Sequence, residues 1–186
     1  MITTQKNETF QMYHGGKRWS MLPDELIPAS KNRYEGGVGI YLTNKYETAR
    51  KYAKGSRVVH IVDIDKNYRD IKGKELQIED VVEFVKSVSG LKHKKEIIQD
   101  LISNSKRLNR PYVHADVLNN LIVNYEAGAG NVGLEIPRYF ISKGIDASLQ
   151  NQSGDEQWLV VFNPKIIQKF SIVNPSNQII WTLPQI

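Results

Sequence analysis

Cysteine is absent from the 186 residues. That removes disulfides, thiolate metal sites and cysteine nucleophiles together, and it suits a reducing cytosol. No stretch is apolar over the roughly twenty residues that a bilayer crossing demands. The opening residues, MITTQKNETF, have neither the apolar core nor the small-residue cleavage site of a secretory signal. A cytoplasmic protein with no membrane partner is therefore expected. The four histidines, at 14, 60, 93 and 114, lack metal-ligand spacing, and no P-loop occurs. No metal is expected. Neither sign of charge is scarce: the formal balance of +5 mildly favours a polyanionic ligand but is too small to indicate nucleic-acid binding by itself.

The length suits a single domain over residues 1–186, and the hydrophobic pattern gives it an interruption. FQMYHGG predicts a strand running into a glycine turn, and WSMLPDELIPAS a loop in which Pro23 opens one short helical turn. GVGIYLT is the next expected strand. Asn44 and Glu47 then stand in the relation of a capping box, with Gly55 suited to the position past the helix end. RVVHIVDID follows as a β-branched strand. Helical periods over 78–88, 96–103 and 113–125 predict a helical insertion at about 72–130. IPRYFISKG reads as a helix with Pro137 in its first turn and Gly144 beyond its end. IDASL, EQWLVVFN, KFSIVN and QIIWTL read as closing strands, with QNQSGD as a hairpin loop. This order is α+β rather than regularly alternating α/β.

GAGNVG, residues 128–133, matches the dinucleotide fingerprint in spelling. A helical pattern precedes it where the fingerprint needs a strand, so the glycines are read as a loop. Lys92, Lys94, Lys95, Lys106, Arg107 and Arg110 flank a helix carrying Glu96 and Asp100. They form either a solvated helical face or a polyanion site.

YHGG at 13–16, GIYLTNKYETARKYA at 39–53, and EQWLVVFNP at 156–164 after KGIDA occur in that order. Together these segments resemble the ADP-ribosyltransferase superfamily, in its diphtheria-toxin and poly(ADP-ribose)-polymerase branch with a His-Tyr-Glu triad. Small prokaryotic and phage-encoded transferase domains are the most similar. The resemblance covers about Met12 to Tyr52 and Lys143 to Pro164, leaving out the helical middle. It implies a split pair of antiparallel β-sheets with NAD+ as co-substrate in the cleft between them. His14 would bond the adenosine ribose, Gly15 would let the backbone approach the nicotinamide amide, and Tyr41 and Tyr52 would sandwich the nicotinamide ring. A carboxylate beside the ribose would stabilise positive charge as the glycosidic bond breaks.

The chain departs from this pattern at the acid. The position immediately before the aromatic residue of the last motif holds Gln157, and Glu156 and Asp155 come one and two places earlier. One step along a strand reverses the side chain's face unless a bulge re-aims it. Glu156 and Gln157 both remain candidates, so the expected catalytic set is Glu156 or Gln157 with Tyr41. The small hydroxyl residue that the branch carries three before its second tyrosine is Ala49 here. Each residue also has an ordinary structural use: His14 satisfying a turn carbonyl, Tyr41 and Trp158 filling core, Asp155 and Glu156 capping a hairpin. The resemblance implies mono-ADP-ribosyl transfer to a macromolecular acceptor, protein or nucleic acid, with release of nicotinamide, in a phage or bacterial effector. The alternatives are a non-catalytic NAD or ADP-ribose binding module on the same fold, and a basic nucleic-acid or partner-binding protein that retains the scaffold.

Overall fold

The computed structural model describes residues 8–30, 34–53, 55, 58–174 and 179–186. Arg57 and Gln178, the first residues of two expected strands, lie outside the described residues. Among the described residues, eight strands and five α-helices follow in order: β1 (Thr9–Gly16), β2 (Ile40–Thr43), α1 (Tyr46–Tyr52), β3 (Val58–Asp65), β4 (Glu75–Gln77), α2 (Ile78–Ser87), α3 (Lys94–Leu108), β5 (Tyr112–His114), α4 (Ala115–Asn124), α5 (Glu135–Ser142), β6 (Ala147–Asn151), β7 (Gln157–Val161) and β8 (Ile167–Ile172). No helix among the described residues is long and apolar enough to cross a membrane.

The fold is α+β, with one six-stranded antiparallel sheet in the order β6-β7-β2-β1-β3-β8. The expected pair of separate sheets is thus one sheet by its pairing, but a sheet with a weak joint. β1 runs along β3 over its whole length, from Thr9 opposite Asp65 to Gly16 opposite Val58. β2 pairs with β7 from Ile40 opposite Val161 to Thr43 opposite Trp158. Between β1 and β2 a single pair, Tyr13 opposite Thr43, closes the ladder. Beyond it the strands part, and the first half of β2 faces the glycine end of β1 without pairing.

Alternation along the strands sorts the core into three groups. Met12, Leu42, Val62, Ile64, Leu159 and Val161 meet on one face and span the joint. On the opposite face, Tyr13 and Val59 pack under Tyr46 and Ala49 of α1. The rest of that face, with Val160 and Phe162, is covered by the helical middle of the chain. There α2 buries Val81 and Val85, α3 buries Ile97 and Leu101, and α4 buries Leu118 and Ile122, all at helical spacing. Each such aliphatic side chain contributes about 1.5–3 kcal/mol. The helices therefore share the core of the sheet.

Three local expectations need correction. Residues 23–27 form no helical turn. The helix expected to start at Val113 begins at Ala115, because 112–114 pairs with 75–77 as a two-stranded ribbon. That ribbon brings the start of α2 beside the start of α4, a long-range pairing invisible to local periodicity. The residues 179–183, expected in a closing strand, form none; they lie as a strap over α1, with Tyr46 N–H bonded to the Trp181 carbonyl and Tyr13 Oη donating to the Ile180 carbonyl at 2.7 Å.

Candidate active site

The candidate site lies where β1 and β2 part. Nδ1 of His14 stands 2.9 Å from the Tyr41 carbonyl. A carbonyl only accepts, so Nδ1 carries the proton and Nε2 keeps its lone pair. Burial holds this imidazole down at about 4, against the pull of the Tyr41 carbonyl and with the help of His60. It is neutral at pH 7. His14 thus spans the gap between the two halves of the sheet, so the structural use foreseen for it, satisfying a carbonyl, is made by one nitrogen while the other stays an acceptor. Gly15 is fixed by packing: a Cβ there would lie 1.7 Å from the Ala49 carbonyl oxygen. Only glycine lets α1 sit this close to β1.

Trp19 was not singled out by its sequence context. Its indole lies flat on His14, with ring centres 4.6 Å apart, and flat on His60 at 4.7 Å. Its backbone N–H donates to Nε2 of His60 at 3.1 Å. It fixes the plane of the His14 ring. The available signal was an aromatic residue three positions beyond the glycine pair, too common a pattern to single out.

Tyr41 projects to the face opposite His14. Its hydroxyl accepts from Gly36 N–H at 2.8 Å and donates to the Gly37 carbonyl at 2.7 Å. The Gly36 carbonyl in turn accepts from Asn119 of α4 and from Gln150 of β6, each at 2.9 Å. The phenol ties down the turn before β2, leaving its ring as the part open to a ligand. Burial, with Glu35 and Tyr52 nearby, pushes its hydroxyl well above the usual tyrosine range. Tyr52 is 57% exposed at the end of α1. Burial of its hydroxyl, followed by the Glu35 and Glu156 carboxylates, raises its pKa as well. Glu35 thus acts on both tyrosine hydroxyls, with Tyr52 also acting on Tyr41 and Glu156 on Tyr52.

Glu156 joins them, and Gln157 does not. Oε1 of Glu156 accepts from the Trp158 indole at 2.7 Å and from Thr43 Oγ1 at 3.2 Å, and the Thr48 hydroxyl also bonds it. Burial works to raise this carboxyl, but the bonds from Trp158, Thr48 and Thr43 and the charge of Lys45 outweigh it, so the acid is held below its ordinary value. It is ionised at neutral pH. Gln157 is 5% exposed on the other face, where Nε2 donates to Asn151 Oδ1 at 2.9 Å and Oε1 accepts from Ile186 N–H at 2.8 Å. Trp158 neither fills core nor stands free; it edges Tyr41 at 6.3 Å between ring centres while holding the acid.

A hydroxyl stands one residue before Ala49, on Thr48, as a carboxylate stands one residue before Gln157, on Glu156. Thr48 and Tyr52 are four apart on α1 and so share a helical face, while Ala49 is buried against β1. The capping box is not formed. Lys45 takes the N-cap position without a side-chain bond, and the Asn44 side chain is engaged elsewhere.

Away from this space, the glycines at 128–133 follow α4 rather than a strand, and Gly133 packs on the Gly128 carbonyl. Lys92, Lys95, Lys106, Arg107 and Arg110 are exposed and have no carboxylate partner among the described residues. Lys95 and Lys106 border a shallow groove on α3 floored by Ile98 and Ile102.

Compared with known proteins, the chain matches no family model, no curated protein and no solved structure.

Proposed function

We propose that the protein cleaves NAD+ and transfers its ADP-ribosyl group to a macromolecular acceptor, a protein or a nucleic acid, releasing nicotinamide. The observation that carries this reading is the convergence of an ionised Glu156 with Tyr41 and Tyr52 beside the parted strands, with His14 spanning the gap. The two tyrosine rings offer flat apolar faces to a flat ring. Nε2 of His14, with its free lone pair, accepts from a ribose hydroxyl. Glu156 faces the ribose, where its charge stabilises the oxocarbenium character of the transition state.

In the reaction the bond between ribose C1′ and the nicotinamide nitrogen breaks, and its electron pair leaves with nicotinamide. A nucleophilic oxygen or nitrogen of the acceptor forms the new bond to C1′ and releases its proton to solvent. The donors on Glu156 from Trp158, Thr43 and Thr48 keep the carboxylate charged and in one place before the substrate arrives, so little reorganisation accompanies the chemical step.

Incubating the protein with NAD+ labelled in the adenine moiety and a bacterial lysate tests the reading. Label in the macromolecular fraction, with free nicotinamide in equal amount, is expected. NAD+ binding without nicotinamide release would replace the transferase by the binding module, and absence of binding would remove NAD+ from the site.

A further inference from the structure

Asn44 is 1% exposed and caps no helix. Its carboxamide is divided between the two peptide groups that flank Glu156. Nδ2 donates to the Asp155 carbonyl at 2.9 Å, and Oδ1 accepts from Gln157 N–H at 2.8 Å. The Asn44 backbone N–H bonds the Gln157 carbonyl at 3.2 Å, and the strap closes the set through Leu183, whose N–H donates to the Asn44 carbonyl at 2.8 Å while its own carbonyl accepts from Nδ2 at 3.3 Å.

We propose that Asn44 is the positioning residue for Glu156, clamping the peptide planes on both sides of it so that the carboxylate stays on the face of Tyr41, Tyr52 and Thr48. The inference rests on reading Glu156 as the acid of a transferase. Its physical basis is the place where the ladder stops. Strand pairing of β6 with β7 begins at Asn151 opposite Gln157, so Glu156 lies just outside the regular ladder. The Gln152 N–H holds the Glu156 carbonyl at 2.9 Å from across the hairpin, but the Asp155–Glu156 peptide before it is left to Asn44, and rotation about the backbone there frees the side chain. One carboxamide supplies both constraints because it carries a donor and an acceptor; an aspartate supplies only the acceptor and sets its charge against the Asp155 carbonyl. Gln157 completes the lock from the other face, since its bonds to Asn151 and Ile186 prevent it from exchanging places with Glu156.

The Trp158 indole N–H, 2.7 Å from Glu156 Oε1, reports the position of the carboxylate by NMR without any need for turnover. In the wild type its resonance should shift on acidification as Glu156 takes a proton, and Glu156→Gln should abolish that shift; Trp158→Phe identifies the peak. In Asn44→Ala and in Asn44→Asp the resonance should move toward that of an unbonded indole. The kcat for nicotinamide release should fall about 10- to 100-fold, the order expected for a misplaced catalytic group, with KM for NAD+ little changed. Folded variants that keep both the resonance and its titration would overturn the proposal. So would failure of both variants to fold, which would make Asn44 a determinant of the fold and not of the acid. A wild type that releases no nicotinamide would remove the transferase reading, while the indole titration still decides whether Asn44 sets the carboxylate.

Discussion

Glu156→Gln separates the two registers left open by the sequence. The substitution keeps the size of the side chain and an oxygen that can accept from the Trp158 indole and the Thr43 hydroxyl. It removes the charge. At about 5 Å from ribose C1′ and an effective dielectric of about 20, one negative charge stabilises a developing positive charge by roughly 3 kcal/mol. At about 1.4 kcal/mol per tenfold in rate, this is a loss of two to three orders of magnitude in turnover. NAD+ affinity should change little, because the charge develops only in the transition state. Nicotinamide release under saturating NAD+ measures the effect, with far-UV circular dichroism and thermal unfolding as controls for the fold. Gln157→Glu provides the complementary arm: its side chain lies on the buried face against Asn151 and Ile186, so the added carboxylate should not accelerate cleavage. Undiminished turnover in Glu156→Gln, or a gain in Gln157→Glu, would refute the assignment of the acid.

The two tyrosines should separate by what they hold. Tyr52→Ala should weaken NAD+ binding about tenfold while leaving stability within roughly 0.5 kcal/mol, because the residue is 57% exposed. Tyr41→Phe should keep NAD+ binding but cost about 1–2 kcal/mol of stability, since Gly36 N–H loses its acceptor and the Gly37 carbonyl its donor. Calorimetric titration with NAD+ and thermal unfolding of both variants check this, and the opposite pattern would exchange the ligand-facing and structural roles. Acid should destabilise the fold through His14, whose folded value of about 4 lies below the ~6.5 of an unfolded histidine. The unfolded chain binds the extra proton between those values. The stabilisation of the neutral, buried ring is therefore complete above about pH 6.5 and is withdrawn toward pH 4, by about 2–3 kcal/mol. Glu156 and Asp146, held below their ordinary values, act in the same direction lower down the scale. His14→Gln should reduce the fall in melting temperature between pH 6.5 and 4.5, leaving the part that comes from His60, which burial also holds below its ordinary value; the same slope in both proteins would locate the acid sensitivity elsewhere.

Period and punctuation in the sequence were enough for the α+β order of elements, the strands at 10–16 and 58–65, the helices of the middle segment and α5 with Gly144 past its end, because each depends on neighbours a few residues away. The residue types around the site were legible for the same reason: a histidine against glycines, two tyrosines eleven apart, an acid at the start of a late strand. Tertiary structure alone decided how they are used. Asn44 has the sequence context of a helix cap, but capping is a local side-chain bond that lost to three long-range ones with the hairpin and the strap. Trp19 became a site residue only because strand pairing set His14 opposite His60, giving a flat indole two rings to cover. Which of Glu156 and Gln157 shares the face of Tyr41 turns on a single backbone rotation at the end of a ladder, and no pattern of residue types encodes it. That rotation is set by bonds from Asn44 and Ile186, which reach the β6–β7 hairpin from distant parts of the chain, and from Asn151 across the hairpin itself.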